Sequence, residues 1–127
     1  MAAMIYFDTH AVVAVYKDFK LLGKNARRLL RRQAEYAISP MVCLELRFLY
    51  EIQQIKHPPR EILRYLDGSI GLGVCPKPFA DVIQVADSLH WTRDPFDRII
   101  VAQASLDIDP LVTKDLCIHE HYEKAVW

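Results

Sequence analysis

Four short apolar runs, separated by segments with helical spacing, constrain this chain more than any other feature. They are Met4-Ile5-Tyr6-Phe7, Tyr36-Ala37-Ile38-Ser39, Leu72-Gly73-Val74-Cys75 and Pro110-Leu111-Val112-Thr113. A strand with one wet face alternates apolar and polar residues, whereas a nearly continuous apolar run belongs to a strand covered on both faces. Between the runs, the i, i+3, i+4 spacing predicts helices. One starts at Thr9 and runs through Tyr16, and a second spans Leu21 to Ala34. A third opens at Pro40, with Met41, Leu44, Glu45, Phe48, Leu49 and Ile52 on one face. Arg60 to Leu66 forms a fourth, stopped by Asp67-Gly68. Phe79 to Leu89 turns Phe79, Val82, Ile83 and Ala86 inward, and the helix opened by Asp94-Pro95 turns in Phe96, Ile99, Ile100, Gln103 and Ala104. This order predicts an α/β domain with a mainly parallel central sheet and helices on both faces. In such sheets ligands bind outside the carboxyl ends of the strands.

The 127 residues are expected to form a single domain, 1–127, since no linker, repeat or low-complexity tract interrupts them. Hydrophobic residues make up 52%, enough to offset the ordering entropy of a folded chain. Sixteen basic and sixteen acidic side chains cancel, which argues against a protein that coats polyanions over its whole surface. No apolar run approaches the ~20 residues of a membrane-spanning helix. The apolar start is cut by Asp8 and has no basic segment before it, so it does not read as a signal peptide. Cys43, Cys75 and Cys117 form no CxxC pair and leave an odd thiol, so a cytoplasmic location is expected.

The carboxylates carry the chemistry. Asp8 and Asp115 each follow a predicted strand, which brings them to the same edge of the sheet. Either alone could be a helix cap. Glu45 lies on an apolar helical face, where a carboxylate must find a partner or become neutral. That partner is a basic side chain, such as Arg47 or Arg98, or a metal ion. Asp94, Pro95 and Asp97 fit the first turn of a helix, with Asp94 as cap and Asp97 near the buried face. Asp8, Glu45, Asp97 and Asp115 in one cleft would repel each other unless cations neutralise them. Hard oxygen donors suit Mg²⁺ or Mn²⁺ rather than zinc. The chemistry that such clusters most often serve is phosphodiester hydrolysis.

At these residues the sequence resembles the PIN-domain family, and within it the VapC-type ribonuclease toxins of toxin–antitoxin pairs. The resemblance rests on Tyr6-Phe7-Asp8-Thr9-His10-Ala11, on Ser39 to Glu45, on His90 to Ala104 and on Leu111-Val112-Thr113-Lys114-Asp115. The run Arg93 to Ala104 is its most specific part. It implies a three-layer α/β/α fold and a Mg²⁺- or Mn²⁺-dependent endoribonuclease. The family's acidic site falls on Asp8, Glu45, Asp97 and Asp115. Asp94 matches a further acid, a cap or a metal ligand, and Thr113 and Thr9 are the hydroxyls that would support the acids. The implied partners are substrate RNA, a second copy of the chain and a VapB-like antitoxin that inserts a basic residue into the acidic site. Pro40 stands where the family has a small residue, and Gln53 to Pro59 matches nothing in it.

Weaker signals remain. Lys24, Arg27, Arg28, Arg31 and Arg32 form a basic helix surface, either a solvated face or a track for RNA phosphates. Arg27, Arg31 and Arg98 are the candidate RNA contacts. Leu21, Leu22, Leu29 and Leu30, and the helix with Phe48 and Leu49, are either core or docking surfaces for a partner. Cys117, His119 and His121 would share one side of a strand, but three ligands without a fourth are a weak zinc signal. His10 and His90 are expected to pack or to support the acids rather than act as bases. A phosphoacceptor domain also begins with a strand and an aspartate, yet Asp8-Thr9-His10 lacks its second acid. A non-catalytic PIN-like module that binds RNA or a partner is the remaining alternative.

Overall fold

The computed structural model describes residues 3–127. The chain runs β1 (Ala3–Phe7), α1 (Thr9–Lys17), α2 (Lys24–Leu29), β2 (Ala34–Ile38), α3 (Pro40–Glu51), α4 (Pro59–Ile70), β3 (Gly73–Val74), α5 (Phe79–Asp87), α6 (Pro95–Ser105), β4 (Leu111–Val112), α7 (Leu116–His121) and β5 (Ala125–Val126). The five strands form one sheet in the order β3-β2-β1-β4-β5. Every pairing is parallel, with Ile5 opposite Tyr36, Tyr6 opposite both Ala37 and Leu111, and Phe7 opposite Val112. This is a three-layer α/β/α domain, as the alternation of runs predicts.

The register explains the apolar runs. Ile5, Tyr6 and Phe7 are all buried, because β1 is the central strand and helices cover both of its faces. A large apolar side chain contributes about 1.5–3 kcal/mol when removed from water, so Phe7→Ala in this packing should cost about 3–5 kcal/mol. Helix α6 is buried over Ile99 to Ala104, around most of its circumference. The chain leaves β1 to build β2 and β3 on one side, then returns to build β4 and β5 on the other. The point of reversal lies between β1 and β4, and a crevice opens there at the carboxyl ends.

Several elements differ from the sequence reading. The predicted helix from Leu21 to Ala34 shrinks to Lys24–Leu29 after a single 3-10 turn, and Ala34 instead starts β2 opposite Ala3. The sheet's ladder overrides helix propensity there, and the Tyr36 hydroxyl donates to the Leu30 carbonyl, covering the end of α2. Helix α4 passes through Asp67-Gly68 and stops at Gly71, whose φ of 71° makes the left-handed cap. The buried stripe of α3 is Val42, Leu46 and Leu49, rotated from the predicted face. Leu44 is 57% exposed and Phe48 47% exposed, and Phe79 and Ile83 on α5 are exposed as well. Residues 117–121 form a helix, not a strand, so the one-sided spacing of Cys117, His119 and His121 disappears. The short β5 went unpredicted.

Candidate active site

The topology gathers the predicted acids. Asp8, Glu45, Asp94, Asp97 and Asp115 line one cleft of about 490 Å³, together with Thr9, His10, Ile100 and Lys114. Each acid is placed by an element terminus or a helical turn. Asp8 ends β1 and caps α1, accepting from the Ala11 amide at 2.8 Å. Asp115 follows β4 and caps α7, accepting from the Ile118 amide at 3.1 Å. Asp94 caps α6, accepting from the amides of Phe96 at 2.8 Å and Asp97 at 3.4 Å. Asp97 sits in the first turn of that helix, half-buried, and Glu45 reaches in from α3. The reversal of the chain between β1 and β4 is what brings Asp8 and Asp115 together.

Two threonines hold the acids. Thr9 is buried and its hydroxyl donates to Glu45 Oε1. This answers what faces Glu45: neither Arg47 nor Arg98 pairs with it. Arg47 lies over the Tyr50 ring, and Arg98 donates to the carbonyls of Ala86 and Asp87 at the end of α5. Arg98 thus closes the end of α5, and it does not line the acid cleft. Arg27 lies on α2 and Arg31 just beyond it, and neither lines the cleft. Thr113 is fully buried; its hydroxyl hydrogen-bonds Asp8 and accepts from the Asp115 amide at 3.1 Å. One side chain thus links the two acids that end neighbouring strands. His10 is exposed on the cleft rim rather than packed. Lys114, which the sequence reading passed over, also lines the cleft; its only sequence signal was its place beside Asp115.

The cleft is electrostatically loaded. Burial pushes the Asp97 carboxyl up from 3.8 to about 7, and the charges of Asp94, Asp115, Glu45 and Asp8 all push in the same direction. Asp8 is raised chiefly by burial, against the pull of the Thr113 and Ala11 hydrogen bonds and of His10. Among the described residues, no lysine or arginine forms an ion pair with any of the five acids. Nor are any three of them already drawn tightly enough together to close on an ion. The acids ring an open cleft in which Lys114 lies nearby but, among the described residues, pairs with none of them. An all-oxygen donor set with excess negative charge fits a hard divalent cation, which would relieve the repulsion that raises Asp97.

The comparisons with known proteins agree with this fold. The family model for the PIN domain matches residues 5–124. Among solved structures, a chain of VapBC2 from Rickettsia felis, bound to a DNA fragment from their promoter, superposes with a TM-score of 0.64. It shares 17% identity, and the match covers 97% of this chain and 96% of that one, a likeness of fold. No curated protein matches the sequence.

Proposed function

Because this chain belongs to the PIN-domain family, we propose that it is a Mg²⁺- or Mn²⁺-dependent endoribonuclease, the toxin of a VapC-type toxin–antitoxin pair. The observation that carries the reading is the cleft of five carboxylates with no protein cation paired to them, in which Asp97 is driven to about 7. Asp8, Glu45, Asp97 and Asp115 are the residues that would hold the metal. A hard divalent ion bound by them lowers the pKa of a bound water and neutralises charge on a phosphodiester. The chain's own residues supply the rest. Thr9 fixes the Glu45 carboxylate, and Thr113 orients Asp8 and keeps it beside Asp115. Asp94 gives one oxygen, Oδ1, to two amides of α6, and as the cap of that helix it is proposed to position Asp97. Lys114 at the rim can receive a phosphate of the substrate. The opening suits single-stranded or looped RNA, whose unstacked nucleotides can enter where a duplex cannot.

A free nuclease of this kind would harm its host, so a partner must silence it. An arginine or lysine on a VapB-like antitoxin would pair with the acids and displace metal and RNA together. The Rickettsia felis structure contains a VapB–VapC assembly, which supports a partner of that kind. A homodimer is the proposed assembly, supported by the exposed apolar side chains of Leu44 and Phe48 on α3, where Phe48 stacks on Phe96, and of Phe79 and Ile83 on α5. The proposed location is the cytoplasm; no described helix is long and apolar enough to cross a membrane.

Metal titration tests the enzyme. The purified, antitoxin-free chain should cut single-stranded RNA when Mg²⁺ or Mn²⁺ is added and stop when the metal is chelated. A folded chain that cuts no RNA with either ion overturns the reading.

A further inference from the structure

A second concavity, of about 520 Å³, lies away from the acids, between α1, α4 and the loop that follows α3. Its chemistry is opposite to that of the cleft. Tyr16, Lys17, Ile55, Lys56, His57 and Tyr65 line it. Lys17 and Lys56 are exposed, and among the described residues no carboxylate forms an ion pair with either. Two acids are near: Glu61, engaged by His57 at 3.3 Å, and Glu51, which lines an adjoining hollow with Lys56 without forming an ion pair to it. Tyr16 packs edge-on against both Tyr65 and His57, with centroids 5.5 and 5.4 Å apart, and Tyr65 remains 57% exposed. The loop wall is held in place: the Gln54 amide donates to the Leu49 carbonyl at 2.8 Å, while Gln53 takes a left-handed φ of 64°.

Helix α1 joins the two sites. Thr9 and His10 line the acid cleft, and Val13, Tyr16 and Lys17 line the groove. The spacing i, i+3, i+4 and i+7 puts them along one side of the helix, and His10 to Lys17 spans about 10 Å of its axis. A short stretch of single-stranded RNA covers that distance. We propose that this groove is an RNA-binding exosite: Lys17 and Lys56 hold backbone phosphates and Tyr65 offers a ring on which a base stacks, while a neighbouring phosphodiester lies in the acid cleft. The proposal rests on the ribonuclease reading for its orientation. Its own support is the pairing of uncompensated lysines with aromatic rings, the combination by which proteins hold single strands without reading sequence.

Fluorescence anisotropy with a labelled single-stranded RNA oligonucleotide tests it, in the Asp8→Asn background so that the probe stays intact. Adding Lys17→Ala and Lys56→Ala should weaken binding roughly tenfold and flatten the log-affinity against log-salt slope by about 1.4. Tyr65→Ala should weaken binding by about tenfold with the slope unchanged, since stacking releases no counterions. All three side chains are exposed, and the double Lys→Arg variant should keep both affinity and slope. Unchanged affinity in the alanine variants overturns the exosite. So does a result in which they bind RNA normally but lose a co-expressed protein partner, which would assign the groove to protein. Lack of metal-dependent cleavage by the unsubstituted chain overturns the nuclease and leaves the binding result standing.

Discussion

Strand β4 has carboxylates at both ends, and the two ends treat them differently. At its start, Lys77 pairs with Asp107 and, at 3.9 Å, with Asp109. The same ammonium lies 5.5 Å from the centre of the Tyr6 ring, and the Tyr122 hydroxyl donates to the Asp109 carbonyl at 2.6 Å. Burial and the Asp107 charge push Asp109 up and Lys77 pulls it back, so the protein itself supplies part of the compensation. At the far end, Asp115 joins Asp8, Glu45 and Asp97 in a cleft where burial and every neighbouring acid push Asp97 the same way. Compensated acids hold the fold together. Uncompensated ones cost stability, and such groups persist where something outside the chain is to be bound.

The largest expected effect is on catalysis. Asp8→Asn should lower metal-dependent RNA cleavage by more than about 100-fold, beyond the loss of an outer partner, while leaving the metal-free melting temperature unchanged or higher. A folded Asp8→Asn chain with full activity would remove the distinction between the two ends. A sharper version compares neighbours on α6. Asp97→Asn should lose most of the rate, whereas Asp94→Ser should keep most of it, because serine caps nearly as well. Equal losses would mean that both acids serve the metal.

Next comes pH. Folding raises the Asp97 carboxyl from 3.8 to about 7, so between those values the folded chain keeps a proton that the unfolded chain releases. Stability of the metal-free protein should therefore fall as pH rises through that window and level off above it. Asp8 acts in the same direction. Denaturant melts at pH 5 and pH 8 check the sign, and Asp97→Asn should flatten the profile. Added Mg²⁺ should stabilise more at pH 8 than at pH 5, since it binds the ionised acids. A metal-free chain more stable at pH 8 would contradict the account of the cleft. The smallest effect belongs to the compensated end: Lys77→Met should cost about 1–2 kcal/mol of stability and leave RNA cleavage within about twofold. A large loss of activity there would show that the two ends are coupled.

Much of this was legible in the residues. Apolar runs without alternation state that a strand is covered on both faces, and Asp-Pro, or a Pro at the start of a helical pattern, states where a helix begins; Asp94 and Pro40 stand where those signals put them, while Ser39, read as the last residue of the second strand, instead caps α3. The acids were legible because each ends a strand or opens a helix, apart from Glu45, which betrayed itself as a charge amid apolar neighbours. Rotational details were not legible. Met41 to Ile52 offers two apolar stripes, and only the neighbours of α3 decide that Val42, Leu46 and Leu49 face inward while Leu44 and Phe48 stay out. The alternation of Cys117, His119 and His121 suggested a strand, but the cap from Asp115 winds that segment into α7. That Arg98 closes the end of α5 was not legible either, because its charge was visible in the sequence and the carbonyls of Ala86 and Asp87 were not.

By itself, the sequence determined the order of strands and helices from β1 to β4, the burial of β1 and the kinds of side chain that end β1 and β4, because these follow from local periodicity and capping. Only the tertiary structure decided that Asp8 and Asp115 meet across the β1–β4 reversal, that Thr9 rather than an arginine faces Glu45, and that Lys77 pairs with one set of acids while, among the described residues, no lysine or arginine pairs with the other. Charge compensation acts through space between residues far apart in the chain, and no local pattern records it.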